Sequence, residues 1–135
     1  MSKRVDFLDE ADAWLRGDAH TLQFDYERWD AQSSSWVAQP LTGCTVRFSL
    51  KYSPLDADDR ALAQLTSAAG GGIELQSTPS NRALIRVPPS ATEPLLASTR
   101  VWYDVQVTEP DGQPYTPQYG QIAVLLDLSR ATHLL

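Results

Sequence analysis

Two hydrophobic periods divide this chain. Along residues 3–16, Val5, Leu8, Ala11 and Leu15 recur at three-to-four spacing, with Phe7 and Trp14 beside them. That stripe predicts a short amphipathic helix, and Gly17 is its stop signal. From His20 onward the period is two. Leu22, Phe24 and Tyr26 alternate with Gln23, Asp25 and Glu27, the pattern of a half-buried strand. "DAQSSS" is a polar turn and "WVAQ" a short returning strand. Val46, Phe48, Leu50 and Tyr52 then alternate with Thr45, Arg47, Ser49 and Lys51, the cleanest strand in the sequence, with Cys44 on its apolar side.

The segment "RALAQLTSA" supports two readings. Ala and Leu favour a helix capped by Asp58 or Asp59, and a strand with Leu62 on one face is the other. The "GGG" that follows ends either. Ile73–Leu75 and residues 83–87 read as strands, and "PPSATEPLLAS" as a helical turn capped by Ser90 or Thr92. In the next strand Val101, Tyr103, Val105 and Val107 face one way; Trp102, Asp104, Gln106 and Thr108 face the other. "EPDGQP" is a hairpin-type turn, and a last apolar strand carries Ile122 and Val124.

About seven short strands at roughly 8–12-residue spacing, with nine prolines lying almost wholly in the turns, predict an antiparallel β-sandwich. The expected core is Phe24, Val46, Phe48, Leu50, Tyr103, Val105, Ile122 and Val124. At 135 residues, 42% hydrophobic and 21% charged, the chain suits one domain with an ordinary core.

Charge and chemistry narrow the function by exclusion. A net charge of −6 argues against a broad phosphate-binding surface, so no nucleic-acid partner is expected. Cys44 is the single cysteine and cannot form an internal disulfide. The start "MSKRVDFLDEADAWLRGD" has no apolar run of the secretory kind, and no stretch approaches a membrane span. The expectation is a soluble, cytoplasmically made protein with no membrane partner. G-x-S-x-G, H-E-x-x-H, Walker-type and C-x-x-C motifs are missing, so no catalytic residue, metal ligand or cofactor is expected. "DADDR" fails as a calcium loop, because Arg60, Ala61 and Ser67 stand where an oxygen ligand, Gly and Glu are needed. "GGG" lacks the Lys-Ser/Thr of a phosphate loop. "RGD" at residues 16–18 is read as the end of the helix. His20 and His133 read as exposed polar residues, and Asp104 as a structural carboxylate binding a neighbouring backbone group or Arg.

Several stretches together resemble a known family. "QPLTGCTVRFSLK", "GGGIEL", "VPPSATEPLLASTR", "VWYDVQVTEPDG" and "GQIAVLLDLSR" occur in the order found in small immunoglobulin-like proteins of tailed-bacteriophage structural gene clusters. These are similar to the N-terminal domain of phage baseplate upper proteins. The resemblance covers about residues 17–130. It implies an all-β, immunoglobulin-like sandwich at 17–130; the helical arm at 1–16, expected from its periodicity, and a tail at 131–135 lie outside the pattern. It also implies a non-enzymatic virion protein assembled in the bacterial host cytoplasm. Such a module is present in many copies, touching copies of itself and other virion proteins of the tail, collar or baseplate. A capsid-surface decoration protein and a carbohydrate-binding host-recognition module are the alternatives. The expected interface residues are Phe7, Leu8, Trp14 and Leu15 on the arm, and Trp102 on the non-core face of its strand.

Overall fold

The computed structural model describes residues 2–126, and these are all-β with almost no helix. In chain order the strands are β1 (Lys3–Arg4), β2 (Trp14–Leu15), β3 (His20–Asp25), β4 (Glu27–Asp30), β5 (Ser35–Ala38) and β6 (Thr45–Lys51). They continue with β7 (Ala63–Thr66), β8 (Ile73–Leu75), β9 (Arg82–Val87), β10 (Thr99–Thr108) and β11 (Pro114–Leu125). The helical content is two single 3-10 turns, Asp58–Arg60 and Pro89–Ala91. The "RALAQLTSA" ambiguity thus resolves into a turn followed by strand β7.

Six strands form the larger sheet, in the order β1-β11-β10-β6-β7, with β2 also on β11. β3, β9 and β8 form a three-stranded sheet, and β4 and β5 a separate hairpin. Val46, Phe48, Leu50, Val101, Tyr103, Val105, Ile122 and Val124 of the larger sheet join Leu22, Phe24, Ile73, Ala83, Ile85 and Val87 of the smaller in one buried cluster. Period-two alternation produces this directly: one set of side chains per strand leaves water, each large one contributing roughly 1.5–3 kcal/mol. All eight expected core residues are in that cluster.

Residues 3–16 are not a helix. They run as an interrupted edge strand parallel to β11: β1 pairs with Gln118 and Tyr119, Phe7 bridges to Ile122, and β2 pairs with Val124 and Leu125. Val5 N–H donates to the Tyr119 carbonyl at 2.9 Å, Phe7 N–H to Gln121 at 2.8 Å, and Arg16 N–H to Leu125 at 2.8 Å. The physical reason lies in what each alternative satisfies. An isolated helix of this length is marginal in water, whereas the edge of a twelve-residue strand offers a row of unpaired backbone groups. A turn at Asp9, whose carbonyl accepts from Asp12 and Ala13 N–H, resets the register so that Trp14 returns to the core. The expected arm is therefore part of the larger sheet. The expected tail, 131–135, and His133 lie outside the described residues.

Gly17 follows a strand rather than a helix and takes φ +81°. Its N–H donates to Thr92 Oγ1 at 2.8 Å, and Arg16 Nη2 donates to the Glu93 carbonyl at 2.6 Å. The "RGD" tripeptide is thereby held against the loop at residues 92–93.

Candidate interaction site

The five expected interface residues do not form one surface. Phe7 packs on the core, its ring 5.9 Å from that of Tyr103. Leu8 is half-buried. Trp14 is only 6% exposed and stacks on His20, with centroids 4.7 Å apart and planes 6° from parallel. His20 is thus half-buried under a ring rather than simply exposed. Leu15 is exposed. Trp102 is half-buried on the outer face of the larger sheet, with the Arg4 guanidinium 5.2 Å from its ring centroid. The arm thus spends its largest ring, Trp14, inside its own chain.

The first site is that outer face. Directly opposed residues share a face, and alternate residues on one strand do too. Trp102 lies between Lys51 of β6 and Gln121 of β11, and Asp104 between Ser49 and Tyr119. The alternation that buries Tyr103 and Val105 therefore sets Trp102, Asp104 and Tyr119 side by side. They line a shallow groove of about 360 Å³ with Ser49, Lys51 and Pro54. A polar extension of about 100 Å³ adds Arg47, Asp58 and Gln106. Lys51 Nζ donates to Asp58 Oδ1 at 2.8 Å, which raises the lysine and lowers the aspartate from their ordinary values. Among the described residues no hydrogen bond or ion pair takes up the Asp104 carboxylate, although the charges of Lys51 and Arg47 act on it. Burial of the carboxyl between its neighbours pushes its pKa up, partly offset by the Lys51 charge, although the residue as a whole stays open to solvent.

The second site is the β4–β5 hairpin. Trp29 and Trp36 are directly opposed and meet edge-on at 5.6 Å. Trp29 is 39% exposed and Val37 41%. Lys3 braces this pair: its Nζ donates to Glu27 Oε1 at 2.8 Å and lies 4.5 Å from the Trp36 ring centroid. At the root of the hairpin Arg28 pairs with Glu109 and stacks 4.1 Å from the Tyr115 ring centroid. The Tyr26 hydroxyl donates to Glu109 Oε1 at 2.7 Å and accepts from Arg28 Nε at 3.1 Å. Burial and the Glu109 hydrogen bond push the Tyr26 hydroxyl up to about 12. A cleft of about 240 Å³ opens between Arg28, Trp29 and Tyr115.

The sequence pattern places strands on both sides of "DAQSSS" without by itself pairing their tryptophans. The signal was available, because Trp29 and Trp36 stand symmetrically about the turn. The Arg28–Glu109 contact spans 81 positions and has no local signature. Among the described residues no group of His, Cys, Asp and Glu could hold a metal ion, and no helix is long and apolar enough to cross a membrane. The half-buried Cys44 has its thiol pushed up by burial, away from the reactive thiolate form. No protein-family model matches the chain, and none of the curated proteins matches its sequence.

Proposed function

We propose that the chain is a non-enzymatic, multi-copy structural module of a tailed-phage particle. In this reading it is an immunoglobulin-like β-sandwich that joins neighbouring components of the tail, collar or baseplate. The motif order quoted above supports the phage setting. Two sheets feeding one core support the sandwich. The observation that carries the joining role is the hairpin, where Trp29 and Trp36 meet edge-on at the surface and Lys3 braces the Trp36 ring. Tryptophan dominates binding hot spots, and large rings pre-ordered on a rigid framework lose little entropy on docking. The contact is assigned to this hairpin rather than to residues 1–16, because Trp14 is already buried in its own core.

The test is particle incorporation. Tagged chain expressed in the infected host should co-sediment with purified virions. A Trp29→Ala/Trp36→Ala variant should fold with the parent's spectrum yet be excluded from particles. Virions that lack the chain altogether would end the reading; normal incorporation of the double variant would move the contact elsewhere.

A further inference from the structure

We propose that the outer-face groove at Trp102, Asp104 and Tyr119 is a binding site for a neutral oligosaccharide. The inference stands apart from the assembly reading, since it uses the opposite side of β1: Lys3 turns to the hairpin and Arg4 to this groove. Three features converge. The groove walls present an indole and a phenol on one face of the sheet, in diagonal register, and sugar rings pack their C–H faces on such surfaces. Beside Trp102 and directly opposite Tyr119 sits the Asp104 carboxylate, an acceptor that no group among the described residues hydrogen-bonds. A carboxylate that accepts from paired hydroxyls makes charge-assisted hydrogen bonds, the stronger kind. Around it Ser49 and Gln121 supply neutral hydrogen-bonding groups.

Charge selects among ligands. Across the groove and its margin Arg4, Arg47 and Lys51 face Asp6, Asp56, Asp58 and Asp104, three charges against four. Arg4 is held by Asp6, and Lys51 by Asp58. This ratio, in a chain of net charge −6, gives a polyanion no excess of positive charge to bind. A polycation is met by Arg47, Lys51 and Arg4 at the rim. A neutral, hydroxyl-rich chain meets only acceptors, donors and ring faces. About 360 Å³ is at the lower end of small-ligand sites, room for one or two sugar units with the rest of a glycan lying along the sheet.

The experiment is an amide-proton NMR titration of the full chain with three probes: a β-1,4-linked glucose tetramer, an N-acetylglucosamine tetramer, and tri-lysine as the cationic competitor. At least one neutral tetramer should give saturable shifts at Trp102, Asp104 and Tyr119, including the Trp102 indole N–H. Asp104→Asn should weaken that binding about tenfold, the scale of one charge-assisted hydrogen bond, and Trp102→Ala should abolish it. Both side chains face outward, and Asp104→Asn keeps the shape, so a parent-like spectrum of that variant separates lost binding from lost folding. The proposal is overturned if neither sugar shifts these residues. Binding indifferent to both substitutions, or saturation by tri-lysine alone, also overturns it.

Discussion

Trp14 stacks face to face on His20, the two rings 4.7 Å apart and 6° from parallel. The contact fastens the N-terminal segment to the first strand of the smaller sheet, while β2 itself pairs with β11 of the larger. His20 Nε2 lies 3.1 Å from the Leu15 carbonyl oxygen, so the same turn is tied at ring and backbone. One residue thus links both sheets.

The first prediction follows from that link. Trp14→Ala should cost roughly 3–5 kcal/mol, the usual loss for a large buried ring. That corresponds to a fall in melting temperature on the order of 10 °C or more. Deleting residues 2–16 should cost at least as much, because it also uncovers one edge of β11. Parent-like melting of the deletion would show that the segment is a detachable arm after all.

Gly120 is the second test of the same edge. A Cβ there would strike the Val5 carbonyl oxygen and lie 2.8 Å from Asp6 Oδ1. Its neighbours leave no alternative space, since Val5 N–H is bonded to Tyr119, and Gln121 N–H to Asp6 Oδ1 at 2.9 Å. Gly120→Ala should therefore lift residues 3–7 from β11 without disturbing β10. Limited proteolysis is the measurement: cleavage in this segment should be faster in the variant than in the parent. Equal cleavage would mean that the strand accommodates the methyl group.

The core is the part most legible in the sequence. Phe48 is fully buried, its ring 5.9 Å from that of Tyr103, as period-two alternation in β6 and β10 requires. Phe48→Ala should cost roughly 3–5 kcal/mol, a large share of a typical domain's stability. Chemical denaturation with an unchanged midpoint would refute the face assignment.

The N-terminal segment shows where that legibility ends. Val5, Leu8, Ala11 and Leu15 fit a helical stripe, but Val5 and Phe7 also fit a strand, alternating with Arg4 and Asp6. Local pattern cannot decide between them. The decision comes from β11, more than a hundred residues away, whose open edge rewards an extended chain and whose Gly120 lets it approach. The groove was half legible: alternation puts Trp102 and Asp104 on one face, but only the β10–β11 register adds Tyr119. The hairpin's Lys3 brace depends on the same parallel edge strand, which a helix over residues 3–16 does not contain.

The final prediction concerns alkaline pH. Tyr103 and Tyr26 are both buried, and burial is the main cause that carries each hydroxyl from the ordinary 10.0 to about 12. The Tyr103 hydroxyl donates to the Val5 carbonyl at 2.6 Å, a bond its ionised form could not make. Between pH 10 and about 12 the folded chain therefore keeps protons that the unfolded chain has released. Stability is fully present below that window and falls as pH rises through it. Lys51, raised by its bond to Asp58, acts in the same direction from a half-buried position. Urea midpoints should fall between about pH 9 and about pH 11. Tyr103→Phe should start from a lower midpoint, having lost the tie to Val5, yet fall less across the same interval. A parent and variant that decline in parallel would show that Tyr103 ionises as readily in the folded chain as in the unfolded one.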